Sequence, residues 1–166
     1  MAAGTPVTGM IGVIASRVFS RGRLGLAGDS PHVQPRIEFG MLSDERDAVR
    51  MRDGFGRAVQ LARHDAVAAL TTGVTAAGTP LDRLRDPDAL DAWMRASVRG
   101  SVHPAGTCRM GAVGDPAAVV DPACRLIGYR DTYVVDASVM PDVPRANTNL
   151  TVVALAERIA ERLRDR

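Results

Sequence analysis

The chain has 166 residues, of which 46% are apolar, and this size and composition predict one globular domain, or two at most, and exclude a disordered chain. Aromatic residues make up only 4%, and the 21 basic residues, all arginine, are interspersed with 19 acidic ones, so neither a stacking surface for single-stranded nucleic acid nor a basic stripe is predicted. No apolar run approaches the roughly 20 residues of a membrane span, and the opening residues do not predict a secretion signal. The two cysteines, Cys108 and Cys124, are not spaced as a metal pair and indicate reduced thiols in a cytoplasmic protein.

Strand patterns come first along the chain. Residues 9–18 are rich in valine and isoleucine and predict a strand, which a turn at 20–22 joins to a second strand at 23–26 as a hairpin. A loop containing two prolines, at 28–35, precedes a third, short strand at 36–41.

The hydrophobic period then becomes helical. Ser43 is a candidate cap for a helix that ends near residue 62, and a second helical stretch is predicted at 64–71. After a loop at 72–80, Asp86 and Pro87 open another helix that ends near Val98.

The last third of the chain is irregular until its final helix. A glycine-rich loop at 100–115 is of the kind that carries function in a compact domain. Short extended pieces at 119–120 and 126–127 precede a buried strand at 132–136, and a clear amphipathic helix covers 149–164. Its predicted apolar face consists of Val152, Leu155, Ala156, Ile159 and Leu163. The order of elements predicts an α/β fold with α+β character.

His103 is the first candidate for chemistry, in the run S-V-H-P-A-G-T-C-R-M-G at 101–111. Pro104 restricts the histidine backbone to extended conformations, and Gly106 allows a close turn. Histidine ordinarily titrates near pH 6.5 and suits proton transfer at neutral pH. A lone loop histidine is more often a structural residue bonded to the backbone, and both interpretations are open on this run alone.

Two further runs are candidates for ligand contacts. Asp136 ends the predicted strand in V-V-D-A-S-V-M-P, a common ligand position in α/β sheets and equally a position for a turn-forming aspartate. Asn147, Thr148 and Asn149 precede the last helix, and either Thr148 or Asn149 is its predicted N-cap. Capping explains only one of the two asparagines, and the free N–H groups of the helix start suit an anionic or electron-rich ring.

Two alternative sites have less support. A hydrolase would pair Ser138 or Cys108 with His103, but the G-x-S-x-G elbow is absent and nothing marks the cysteine as activated. A metal site is not predicted, since His32 and His64 lie in unrelated segments.

Taken together and in this order, the runs resemble the C-terminal part of the glucose–methanol–choline oxidoreductases, and among these the choline dehydrogenase-like members. The resembling runs are His103–Gly111, Val119–Asp121, Val135–Pro141 and Asn147–Asn149, and upstream the segments 20–22 and 35–37. The resemblance covers nearly the whole chain and is strongest over 101–160.

The resemblance implies an FAD-dependent enzyme that oxidises the CH–OH group of a small alcohol. In that family the histidine before G-T-C-R-M-G is the catalytic base, here His103, and the position of Asn147 binds the substrate hydroxyl. The same resemblance places Asp136 and Ala137 along the FAD, and Asn149 with Thr151 near its isoalloxazine ring.

The implied fold is the C-terminal part of that of the family. Residues 1–100 would form the substrate-binding portion, an antiparallel sheet with helices. Residues 101–166 would form the catalytic histidine loop and the closing strand and helix of an FAD-binding domain.

The N-terminal Rossmann half of the family is not recognisable, because no G-x-G-x-x-G follows a strand and opens a helix. We therefore expect the last third of an oxidoreductase, truncated or split, whose FAD pocket a separate N-terminal chain would complete. The alternative is a non-catalytic remnant or an assembly module, which would expose an apolar patch where the missing half docks. The substrate and the electron acceptor stay open.

Overall fold

The computed structural model describes residues 8–165, and its chain forms two compact units. The helical unit contains residues 8–15 and 42–98, and the loop unit contains residues 16–41 and 99–165. None of the described helices is long and apolar enough to cross a membrane.

The loop unit begins with a small antiparallel hairpin. Strand β1 (Arg23–Gly25) pairs with β2 (Arg36–Glu38), and Leu24 lies opposite Ile37. The predicted strand at 9–18 is wrong, and so is its pairing with 23–26. Arg17 adopts a φ of 52°, which interrupts an extended backbone, and β1 finds its partner beyond the proline loop instead.

Helices dominate the helical unit. Helix α1 (Glu45–Ala62) follows Asp44, whose carboxylate accepts a hydrogen bond from the N–H of Arg46 at 3.0 Å. The prediction of Ser43 as the cap is wrong by one residue, because it is Asp44 that has the extended backbone and the reach to this N–H. A short helix, α2 (Asp65–Ala68), lies inside the predicted stretch 64–71.

A second hairpin separates α2 from the last helix of this unit. Strands β3 (Thr75–Ala76) and β4 (Thr79–Pro80) pair tightly where the sequence predicted only a loop. Helix α3 (Pro87–Ser97) begins as predicted, with Asp86 as cap and proline in its first turn. The rings of Phe55 and Trp93 pack α1 against α3 with centroids 5.3 Å apart.

The core of the loop unit lies beneath its final helix, α4 (Asn149–Arg164), whose bounds agree with the predicted 149–164. Ile159 is buried against Val120, Cys124 and Val139. Leu163, predicted on the apolar face, is 40% exposed because it lies in the last turn beyond this cluster.

The predicted strand at 132–136 is wrong as a regular strand. It makes one isolated antiparallel bridge, between Arg125 and Tyr133, and a backbone bond from Val134 to the carbonyl of Cys124. Cys124 and Asp131 both have positive φ angles, so the backbone turns too often for a continuous ladder. The extended pieces at 119–120 and 126–127 likewise meet only through single bridges.

The observed architecture is therefore a mixture of helices and small antiparallel sheets. The functional division at residues 100 and 101 stays a prediction.

Candidate active site

The loop that carries His103 is held by its backbone. The N–H of Cys108 donates to the carbonyl of Ser138 at 3.0 Å, and the N–H of Met110 donates to that of Val139 at 2.8 Å. On the other side, the N–H of Gly111 donates to the carbonyl of Val120 at 3.0 Å. The loop thus lies between two of the other motif segments, 119–121 and 135–141.

Two glycines of this loop are required by its geometry. Gly106 has a φ of 87°, a conformation that costs other residues energy. A Cβ on Gly111 would lie 2.8 Å from the Cβ of Ala118 and 2.9 Å from a carboxylate oxygen of Asp115. That carboxylate pairs with Arg109 at 3.0 Å, so the G-T-C-R-M-G run is tightly packed around the turn.

The ring of His103 is half-buried and faces the start of α4. Its Nδ1 lies 3.0 Å from the hydroxyl oxygen of Thr148, which is 45 residues away in the sequence. Among residues 8–165 the ring makes its hydrogen bond through Nδ1, so Nε2 is the nitrogen that can meet a substrate. The structure therefore brings the histidine loop and the N-T-N segment together.

Asn147 and Asn149 flank this contact and are both exposed. The side-chain oxygen of Asn147 accepts a hydrogen bond from the backbone N–H of Asn149 at 3.0 Å. This bond orients the amide, and its NH₂ group is left as the donor that can meet a substrate oxygen.

The residues predicted to contact FAD lie in the same unit. Asp136 is exposed and accepts from the N–H of Ser138 at 2.7 Å, which starts a short 3₁₀ turn at Ala137–Val139. Thr151 and Asn149 are exposed on the first turn of α4. Exposed amide and hydroxyl groups beside a helix N-terminus suit the polar edge of an electron-rich ring, so these residues fit one wall of an FAD pocket.

The hydrolase alternative that uses Ser138 finds no support in the geometry. The hydroxyl oxygen of Ser138 is buried and makes no hydrogen bond within the part of the chain that the structure describes, so no base activates it. Among residues 8–165 no cluster of three metal-ligating side chains occurs. His64 caps α2, accepting from the N–H of Ala66 at 3.3 Å.

Thr148 is the functional candidate that sequence reasoning missed. The sequence predicts it only as a helix cap, whereas its contact with His103 joins distant segments. The available signal in the sequence was its position between two asparagines, because helix capping explains only one of them.

Comparison with known proteins bears on the family of the chain. A family model described as GMC oxidoreductase matches residues 18–156, which is most of the chain. The chain belongs to the GMC oxidoreductase family. The resemblance to its C-terminal portion, read from the four runs, is confirmed.

This GMC oxidoreductase chain is also similar to individual relatives and solved structures. It is 38% identical to the 5-(hydroxymethyl)furfural oxidase of a Methylovorus species, with 94% of this chain and 32% of the relative covered. It is 32% identical to the oxygen-dependent choline dehydrogenase of Photobacterium profundum, with 86% of this chain and 24% of that protein covered. Among solved structures, pyridoxine 4-oxidase from Mesorbium loti matches with a TM-score of 0.80 and 30% identity over 91% of this chain and 28% of that one. The GMC chain therefore spans between about a quarter and a third of the length of these relatives.

Proposed function

We propose that this chain carries the catalytic wall of an FAD-dependent oxidoreductase that acts on the CH–OH group of a small alcohol. The observation that carries the proposal is the contact of His103 with Thr148, which unites two family motifs in one site. The names of two relatives, a hydroxymethylfurfural oxidase and a choline dehydrogenase, support a small alcohol as the substrate.

His103 and Asn147 have different roles in the proposed reaction. His103 takes the hydroxyl proton at Nε2, because Nδ1 is engaged with Thr148. Asn147 cannot accept that proton, so its amide NH₂ donates to the substrate oxygen and holds it beside the base. FAD, held along this wall, would supply the acceptor for the hydride that leaves the alcohol carbon. A positioned base of this kind is worth about 10² to 10⁴ in rate.

The cofactor contacts belong to the same proposal. Asn149 and Thr151 lie on the exposed first turn of α4, where they would face the isoalloxazine ring. Asp136 and Ala137 would lie along the remainder of the FAD. A dinucleotide-binding portion, on the same polypeptide or a separate chain, would supply the phosphate site.

The β1–β2 hairpin offers the surface for that portion. Leu24 and Ile37 are paired across the strands and are 53% and 55% exposed. Isolated two-stranded hairpins are marginally stable in water, and exposed apolar pairs usually mark contact surfaces. We infer that further strands of the oxidoreductase cover this hairpin. The same exposed surface is what a non-catalytic assembly module would use, and this is the second candidate function.

The test combines the chain with FAD and a dinucleotide-binding portion. If none is encoded with it, the N-terminal part of the Methylovorus relative can be fused to it as a chimera. We expect a resolved flavin absorption band that small primary alcohols bleach in the absence of oxygen. His103→Ala should keep the band and slow bleaching by at least about 10²-fold. The matched control His64→Asn keeps the cap of α2 and should bleach normally.

Two outcomes would contradict the proposal. Equal bleaching by His103→Ala and the parent would remove His103 from the chemistry. A stable complex of the two portions without any flavin band would favour the assembly module instead.

A further inference from the structure

We propose that Thr148 is a positioning residue that fixes the tautomer of His103 by accepting a hydrogen bond from its Nδ1–H. This inference rests on the proposed function, since it explains why Nε2 is available as the base. It assigns to Thr148 a role that a helix cap does not have.

Thr148 does not bond as an ordinary N-cap residue does. It occupies the N-cap of α4, where threonine normally accepts a bond from an N–H of the first turn. Its side chain makes no such cap bond. The N–H of Asn149 is bonded instead by the side chain of Asn147. The helix start is thus served by the neighbouring residue, and the hydroxyl of Thr148 is directed to His103.

Thr148 is buried, in contrast to its neighbours. Thr148 is only 6% exposed, although both neighbouring asparagines are exposed. A buried hydroxyl needs a partner within the protein, and the imidazole at 3.0 Å supplies it. Water therefore competes poorly for this bond, and the ring orientation is fixed by the fold.

The imidazole of His103 needs an acceptor at Nδ1 if Nε2 is to act as a base. A neutral imidazole carries one N–H, and the bond made by one nitrogen sets the state of the other. If Nδ1–H donates to the hydroxyl oxygen, Nε2 keeps its lone pair and can accept the proton of an alcohol. When Nε2 has accepted that proton, Nδ1–H remains a donor and Thr148 still accepts from it. One acceptor thus serves the ring before and after proton transfer.

The test uses ring-nitrogen NMR on the full chain, because this readout needs no flavin. We expect the Nδ1–H tautomer of His103 to predominate in the parent chain. Thr148→Val, which keeps the shape and loses the hydroxyl, should shift the population towards Nε2–H. Thr148→Ser should restore the parent spectrum. Thr132→Val, at an exposed threonine whose hydroxyl bonds the carbonyl of Arg130, is the matched control and should leave His103 unchanged.

In the FAD-loaded complex, Thr148→Val should lower kcat for alcohol oxidation about 10- to 100-fold, and Thr148→Ser should recover most of it. KM should change little, because Thr148 acts on the base rather than on the substrate.

The inference is overturned if the Nε2–H tautomer predominates in the parent chain, or if Thr148→Val leaves the tautomer as it was. If the valine variant folds poorly, the tautomer of His103 in the parent chain still decides the inference. A tautomer shift without any alcohol oxidation in the loaded complex would contradict the proposed function and leave the role of Thr148 in holding the ring intact.

Discussion

Asp121 offers a direct test of how the core beneath the site is built. Asp121 is 8% exposed, and one oxygen of its carboxylate accepts from the N–H groups of Ala123 at 2.8 Å and Arg125 at 3.0 Å. The other oxygen lies 3.3 Å from the guanidinium of Arg125. This turn places Cys124 in the core at a φ of 62°. Replacing Asp121 should therefore loosen the segment against which the histidine loop is bonded.

The magnitude follows from the bonds that are lost. Hydrogen bonds to a charged group are worth about 1.5 to 3 kcal/mol each, and those freed near the surface are partly regained by water. Asp121→Ala should lower the free energy of unfolding by about 2 to 4 kcal/mol. Asp121→Asn keeps the oxygen that accepts both N–H groups and should cost about 1 kcal/mol.

The pH dependence gives the sign of the charge contribution. Burial opposes ionisation of Asp121, but the two backbone N–H bonds and the charge of Arg125 outweigh it and hold its pKa below the ordinary value. The unfolded chain then takes up a proton first on acidification. The stabilisation by Asp121 is complete above about pH 5 and is lost as the pH falls through the folded-state pKa.

Urea unfolding followed by far-UV circular dichroism, at pH 7 and at several acidic pH values, measures these differences. Asp29→Ala, at an exposed loop carboxylate, is the control and should change the free energy by no more than about 0.5 kcal/mol. The reasoning is refuted if Asp121→Ala behaves like this control, or if the gap between Asp121 and its asparagine variant is the same at all pH values.

Three further predictions concern the same fold. Ile159→Ala should lower the free energy of unfolding by about 2 to 5 kcal/mol in urea titrations, because Ile159 is 3% exposed in the core; a change below about 1 kcal/mol would contradict this packing. Gly111→Ala should destabilise by about 1 to 3 kcal/mol, because a Cβ there has no room. Gly56→Ala, in the open middle of α1, should stabilise by about 0.5 to 1 kcal/mol, and equal effects at the two glycines would contradict the argument. Burial raises the pKa of the Cys124 thiol, and the charge of Asp121 raises it further. Iodoacetamide at about pH 8 should therefore modify half-buried Cys108 first and Cys124 only on unfolding. Mass spectrometry of the two peptides would show this order.

Periodicity predicted the helices well, and α4 shows why. Its apolar residues recur at helical spacing and its flanking residues signal both ends, so the bounds 149–164 needed no tertiary information. The cap of α1 failed by one residue because Ser43 and Asp44 are both good caps, and the choice depends on backbone angles that the sequence does not display.

Strands were predicted less well because a strand depends on its partner. Residues 9–18 have strand composition, but Arg17 at positive φ ends the extended run, and β1 pairs with β2 instead. The motifs singled out the histidine and the asparagines of the candidate site, and the roles of these residues stay predictions. The bond between His103 and Thr148 was out of reach, because it joins residues 45 positions apart and contradicts the usual role of threonine at a cap.

The way the histidine loop is anchored bears on any redesign of this candidate site. Cys108 and Met110 hold the loop through their main-chain N–H groups, and this part of the anchoring does not depend on which side chains they carry. Proline is the exception, because it has no N–H to donate. A mutagenesis library that varies the exposed Thr107 and omits proline at positions 108 and 110 would change the surface of this loop while its main-chain anchors are kept.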